Sequence, residues 1–86
     1  MANIASQEKR ILRTEREREE NRRYTSQVKT SFRRLRDAVD AGESERVETE
    51  QRLLASRVDK AVRSGALHRN SGARKKARAA RLARRA

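Results

Sequence analysis

The 86 residues include no cysteine and no proline, and glycine occurs only three times. Without cysteine there is no disulfide framework and no thiolate metal site, which excludes a disulfide-stapled secreted miniprotein. Without proline, only Gly42, Gly65 and Gly72 interrupt a helix, and no strand-forming run is present. The expected architecture is therefore all-α. Aromatic residues are equally scarce, Tyr24 and Phe32 being the only two in the chain. Leu, Ile, Val and Phe together number 14, about 16% of the residues, against the roughly 20% of a self-sufficient globular core. A chain this short buries only roughly 60 to 65% of its unfolded surface, so marginal stability is expected without a partner. No window approaches the roughly 18 apolar residues of a membrane span, and the first ten residues lack the apolar stretch of a signal peptide. One small soluble cytosolic domain over residues 1–86 is expected.

What the chain has is positive charge: 24 Lys plus Arg against 12 Asp plus Glu, a net +12. It is distributed in blocks. Residues 1–36 carry +6, residues 37–62 carry −3 and residues 63–86 carry +9 with no acid at all. A basic excess at both ends with an acidic middle is expected when the ends face a polyanion and the middle faces water.

Hydrophobic spacing and stop signals divide the chain into three helices, over about 6–41, 44–64 and 70–85. The first is capped at Ser6 and stops at Gly42, where glycine takes the left-handed conformation. Its second half presents Tyr24, Val28, Phe32, Leu35 and Val39 at spacings of 4, 4, 3 and 4, one apolar stripe. Its first half has only Ile11 and Leu12 after Ile4, and residues 13–23 are polar on every side. A helix of that length spans roughly 54 Å, so the first half must project from the bundle. The second helix, capped at Ser44, offers Val47, Leu54, Val58, Ala61 and Val62 for an antiparallel hairpin with the first. The third, capped at Asn70, packs closely but weakly through Ala73, Ala77 and Ala80, with Leu82 its one large apolar residue.

Catalytic chemistry finds no support. His68 is the single histidine and cannot form a multi-histidine metal site, and the glycines fit neither a dinucleotide-binding nor a nucleotide-triphosphate loop. Glu15, Glu17, Glu19 and Glu20 alternate with arginines and read as solvated helix charge, Glu19 and Arg23 suiting an i,i+4 pair. No enzyme, cofactor, metal or small-molecule substrate is expected.

The basic chemistry is more specific. From residue 63 onward, Arg69, Arg74, Lys75, Lys76, Arg78, Arg81 and Arg85 stand among nine bases without one acid. Arg74, Arg78, Arg81 and Arg85 fall at spacings of 4, 3 and 4 on one helix face, where like charges repel until a polyanion binds. Arginine suits phosphate because its planar fork donates two parallel hydrogen bonds. Lys9, Arg13, Arg16 and Arg23 form a second, weaker row interrupted by Glu20. A membrane-surface helix is disfavoured because residues 68–86 contain one Leu and no Trp, Tyr or Phe to oppose the basic face. Nucleic acid is the expected partner; composition does not separate RNA from DNA, and an architectural DNA-binding protein is the alternative. His68 either contacts RNA or completes a turn, and Tyr24 either stacks on a base or edges the core.

Particular residues carry a resemblance. Met1-Ala2-Asn3-Ile4 with Ser6 and Lys9-Arg10, then Val28-Lys29-Thr30 through Arg33-Arg34 to Ala41-Gly42, precede the most specific stretch, Gly65-Ala66-Leu67-His68-Arg69-Asn70 with Ala73-Arg74 and Lys76. Together they resemble the bacterial small-subunit ribosomal protein number twenty family over the whole length. The resemblance implies a three-helix bundle with a long projecting N-terminal helix and a basic C-terminal helix. It also implies direct binding to 16S ribosomal RNA, in the 5′ domain and the 3′ minor domain, early in 30S assembly, as a monomer in the subunit. The residues expected to contact RNA are Asn3, Lys9, Arg10, Arg13, Arg16, Arg22, Arg23, Lys29, Arg33, His68, Arg69 and Asn70, with Arg74, Lys75, Lys76, Arg78, Arg81 and Arg85. The chain departs from the family pattern at Ala5, Ser71 and Gly72; a glycine where alanine is usual costs a helix about 1 kcal/mol in propensity.

Overall fold

Two glycines shape the chain, and each closes a helix in the same way. In the computed structural model, which describes residues 2–85 and side chains from residue 4, Gly42 has φ +69° and Gly65 φ +86°. At the first stop the Gly42 N–H donates to the Val39 carbonyl and the Glu43 N–H to the Ala38 carbonyl. At the second, Gly65 donates to Val62 and Ala66 to Ala61. Both are Schellman closures, which use a left-handed residue to satisfy carbonyls that the ending helix leaves without partners.

The helices so delimited are α1 (Ala2–Asp40), α2 (Ser44–Arg63) and α3 (Arg69–Ala83). The chain is all-α, as its composition requires, and α1 and α2 form the expected hairpin with α3 packed mainly on α2. The helix starts differ from expectation. α1 begins at Ala2, so Ser6 lies inside it; Asn3, Ile4 and Ala5 contain nothing that breaks a helix. α2 has Glu43, not Ser44, at its N-cap, without a side-chain capping bond. The first Schellman closure already engages the Glu43 N–H, so the turn ends there and Ser44 becomes helical. The Glu43 carboxylate still sits at the positive end of the α2 dipole and pairs with Arg46 at 3.4 Å. α3 starts at Arg69 because His68 is its N-cap: Asn70 donates its backbone N–H to His68 Nδ1 at 3.1 Å. Asn70, the expected cap, is instead the donor. α3 ends at Ala83, two residues early, although Arg84 and Arg85 continue its turn by donating to Ala80 and Leu82.

The core is narrow. From α1 it takes Val28, Leu35 and Ala38 with the hydroxyl of Ser31 among them; from α2 it takes Val47, Leu54, Val58 and Ala61; from α3 it takes Ala79. The α2 face matches its periodicity. On α1 the buried line is rotated from the expected stripe, so that Tyr24, Phe32 and Val39 are only half-buried at its edge. Phe32 lies on the flank where α3 closes, under Arg78, and pattern alone did not say which side of the hairpin α3 would cover.

α3 packs by its smallest residues, though mostly not the expected ones. Ala73 and Ala77 are exposed and Ala80 is half-buried, while Gly72 and Ala79, two turns apart, face α2. A Cβ at position 72 would stand 2.5 Å from Val62 Cγ2 and 3.4 Å from Val58 Cγ1. The backbone of α3 therefore approaches α2 more closely than any side chain at 72 permits, and the glycine that weakens α3 as an isolated helix is what seats it. Asp59 on α2 and Lys76 on α3 form the one ion pair between helices among the described residues.

The molecule measures 63 × 21 × 13 Å, and its length is that of α1. Residues 4–20 are exposed throughout, with Ile4, Ile11 and Leu12 at 59, 58 and 62% exposure. The first half of α1 projects as its sequence requires.

Candidate nucleic-acid interface

The packing of α3 decides which cations face outward. With Gly72 and Ala79 turned to α2, residues 74, 78, 81 and 85 lie roughly on the opposite side, because each residue advances about 100°. Arg74, Arg78, Arg81 and Arg85 are accordingly exposed. The spacing placed this row on one face, and packing turns that face to solvent.

Arg78 has a second contact. Its guanidinium lies over the Phe32 ring, 5.3 Å from the centroid. Cation–π attraction of this kind is worth about 0.5 to 1 kcal/mol at exposed sites. It pins Arg78 across the α1–α3 seam and gives half-buried Phe32 a role the sequence did not suggest.

The seam holds two recesses with Arg78 common to both. One is lined by Lys29, Lys75 and Arg78 around Phe32, Val28 and Leu67; the other by Arg36, Arg78, Arg81 and Arg85 beside Leu82. Neither contains an acidic residue. Lys29 and Arg36, two turns apart on α1 and straddling Phe32, thus extend the α3 row into a band across two helices. Arg36 was not among the expected residues, although its spacing from Lys29 and Phe32 carries the signal. Arg84, also unexpected, joins Arg74, Lys75 and Arg81 on the outer surface of α3. Arg33 is exposed but lines none of these recesses.

Other expected residues are placed less favourably. Lys76 is engaged by Asp59 and turns toward α2. His68 caps α3, which answers the choice between a turn and a ligand contact in favour of the turn for Nδ1; Arg69 and Asn70 follow it, exposed, in the first turn. Tyr24 is half-buried against the core, on the core-edge side of its two readings.

Lys9, Arg10, Arg13 and Arg16 on the projecting half of α1, and Arg22 and Arg23 just beyond it beside α2, expose their side chains, with the exception that Arg13 Nε pairs with Glu17 at 3.5 Å. The expected Glu19–Arg23 pair does not form within 4 Å. Exposed i,i+4 pairs are worth only about 0.3 to 0.5 kcal/mol, so solvated side chains choose among such partners with little energetic difference. The side chain of Asn3, another expected contact, lies outside the described residues. Arg46 and Arg52 of α2 are paired with Glu43 and Glu48, the latter at 3.1 Å, so the acidic middle neutralises these two of its bases.

No group of carboxylates or histidine fit to hold a metal ion occurs among the described residues, and no helix among them is long and apolar enough to cross a membrane. What the site offers is a set of guanidinium and ammonium groups on a seam whose recesses no acidic residue lines, continued by a mixed-charge row along a projecting helix. Such an arrangement is chemically suited to phosphates.

Comparison with known proteins gives the family relationship. A family model described as Ribosomal protein S20 matches residues 2–84. A protein of Frankia casuarinae named small ribosomal subunit protein bS20 is 48% identical over 81 residues, covering 94% of this chain and 91% of its own. The protein of that name from Acaryochloris marina is 45% identical over 89 aligned positions, covering 95% of each chain. The one from Corynebacterium diphtheriae is 45% identical over 76 residues, covering 88% of this chain and 87% of its own.

Proposed function

The chain belongs to the ribosomal protein S20 family, and from that premise we propose that it binds 16S ribosomal RNA directly and stabilises its fold during 30S assembly. As a member of that family it is a structural constituent of the small subunit of the cytoplasmic bacterial ribosome and not an enzyme. The finer reading rests on one observation: the acid-free band of Lys29, Arg36, Lys75, Arg78, Arg81 and Arg85 is built on the packed α1–α3 seam. A rigid cationic band fixes the angle between RNA elements, whereas a loose basic tail would only neutralise them. The projecting half of α1 supplies a second arm. The two arms clamp separate RNA elements, in the 5′ domain and the 3′ minor domain, and the protein works as a monomer within the subunit.

The projecting arm orders fully only on RNA. Residues 4–20 have no tertiary cover, and a helical segment of that length without packing is marginal in water. Circular dichroism of the free protein should therefore show less helix than three complete helices require, with the deficit recovered on adding 16S RNA. Full helix in the free protein would refute coupled ordering.

Competitive filter binding tests the function. The protein is incubated with the 16S 5′ domain at about 150 mM salt with Mg²⁺, against excess duplex DNA and unstructured RNA, conditions under which non-specific phosphate binding weakens. Binding that survives both competitors is the expected result. Binding lost equally to either would mean non-specific electrostatic attraction and would favour an architectural DNA-binding protein.

A further inference from the structure

The hairpin has a second basic groove, on the flank away from α3. Arg34 follows Phe32 by two residues, about 200° around α1, so the side opposite the seam is also cationic. There a groove of about 540 Å³ runs between α1 and α2, lined by Arg22, Arg23 and Arg34 of α1 and by Arg57 of α2, with hydroxyls at Ser26 and Ser31. Glu19 is its one acid. None of the four guanidinium groups makes an ion pair within 4 Å among the described residues.

Arg57 is the informative member. Its side chain is half-buried, and its Nε is shut off from solvent without a hydrogen-bond partner. A charged donor in that state is costly, because it has given up water and gained nothing in return. Nor does its helix offer relief: one turn to either side stand Leu53, Leu54, Lys60 and Ala61. Glu50, whose Oε2 is also buried and unpaired, is two turns away, roughly 10 Å along the axis. Arg46 and Arg52 on the same helix are each satisfied by a glutamate one turn earlier. Arg57 alone among these three α2 arginines is held ready, in a groove where three more guanidinium groups converge.

We propose that this groove is a second phosphate-binding site, in which Arg57, with Arg22, Arg23 and Arg34, grips a phosphodiester of the RNA on the side of the hairpin opposite the α1–α3 band. The inference rests on the RNA-binding reading above and extends it. The acidic middle of the chain then does not simply face water: through Arg57 it places one cation on the RNA, and the bundle is held from both flanks. The guanidinium fork suits the task, since its two terminal nitrogens, which unlike Nε are not shut off from solvent, donate in parallel to two phosphate oxygens.

The test compares the full-length protein with Arg57→Gln, Arg57→Lys and Arg52→Gln by filter binding to the 16S 5′ domain across a salt series, with thermal melting of each variant. Arg57→Gln is expected to weaken binding by about 10- to 100-fold, the usual cost of removing a charge-assisted hydrogen bond. It should also flatten the slope of log affinity against log salt by about one, as expected when one fewer phosphate is neutralised. Arg57→Lys should keep the slope and lose affinity, because it retains the charge without the fork. Arg52→Gln should change neither. Melting separates a ligand role from a structural one: because Nε has no partner in the free protein, Arg57→Gln should melt at or above the wild-type temperature. Wild-type affinity and slope in Arg57→Gln would overturn the site, as would weakened binding explained by a lowered melting temperature together with an unchanged slope in Arg57→Lys and Arg57→Gln. A wild-type protein that fails to bind the 5′ domain would instead sink the RNA-binding reading itself, and this site with it.

Discussion

Replacing Arg74 and Arg78 together with Gln is expected to reduce affinity for the 16S 5′ domain by about 10² to 10⁴-fold, as two charge-assisted phosphate contacts at about 1.5 to 3 kcal/mol each imply. The wild-type protein should itself lose about 10³ to 10⁵ in affinity between 50 and 200 mM salt if it neutralises roughly 6 to 10 phosphates. The double variant should show a slope flatter by about two. Arg78 contributes twice over, since it carries charge and rests on Phe32 across the seam. Arg78→Lys therefore separates the contributions: it keeps the salt slope but loses the planar stacking that aims the charge. The matched control is Arg46→Gln with Arg52→Gln. Those two bases already sit against Glu43 and Glu48 and should be silent. Equal losses from the two pairs, or a wild-type slope near one or two, would refute the assignment of the α1–α3 face.

Gly72→Ala should lower the melting temperature even though alanine is the better helix former. Propensity alone favours the change by about 1 kcal/mol. Against it stands a methyl group 2.5 Å from Val62 Cγ2, a distance no real contact sustains. Val62 is β-branched and stiff at χ1 in a helix, so it cannot swing aside as a long side chain would. Overpacking of this kind costs about 1 to 3 kcal/mol, which leaves a net loss of up to about 2 kcal/mol after the propensity gain. At roughly 4 to 8 °C per kcal/mol for a domain of this size, melting should fall by up to about 15 °C. Val62→Ala removes the methyl in the way, so the double variant should be more stable than the two single losses predict. RNA binding should follow stability, because lifting α3 from α2 also displaces Lys75 and Arg78 from α1. A rise in melting temperature for Gly72→Ala would mean that α3 is not seated as described.

Much of the fold was legible because it depends on local signals. The absence of proline and the positions of Gly42 and Gly65 delimit three helices, and the period of Val47, Leu54, Val58 and Ala61 identifies the buried face of α2. The helix starts were less legible. Ser6, Ser44 and Asn70 are good capping residues, yet none caps a helix here. In each case the chain upstream was already helical or already held by a turn, and a capping side chain acts only where the backbone leaves the helix. His68 was the reverse case: a residue weighed for ligand contact whose Nδ1 accepts the Asn70 N–H.

The basic surface divides along the same line. The Arg74 to Arg85 row is a property of spacing along one helix, so the sequence displays it. Its extension through Lys29 and Arg36 joins residues far apart in the chain and exists only once α3 lies against α1. Arg57 is further still from any linear signal, since its neighbours in sequence describe an acidic segment and its neighbours in space are arginines.

By itself, then, the sequence determined that this protein is helical, poor in core, strongly basic at both ends and without catalytic equipment, because composition and short-range periodicity act within a turn or two of helix. The tertiary structure alone decided which flank of the hairpin α3 covers, why position 72 must be glycine, and which cations gather into a band or a groove. Those outcomes depend on how closely two backbones approach and on which side chains a crossing helix brings together, and neither distance is written in residue spacing along one chain.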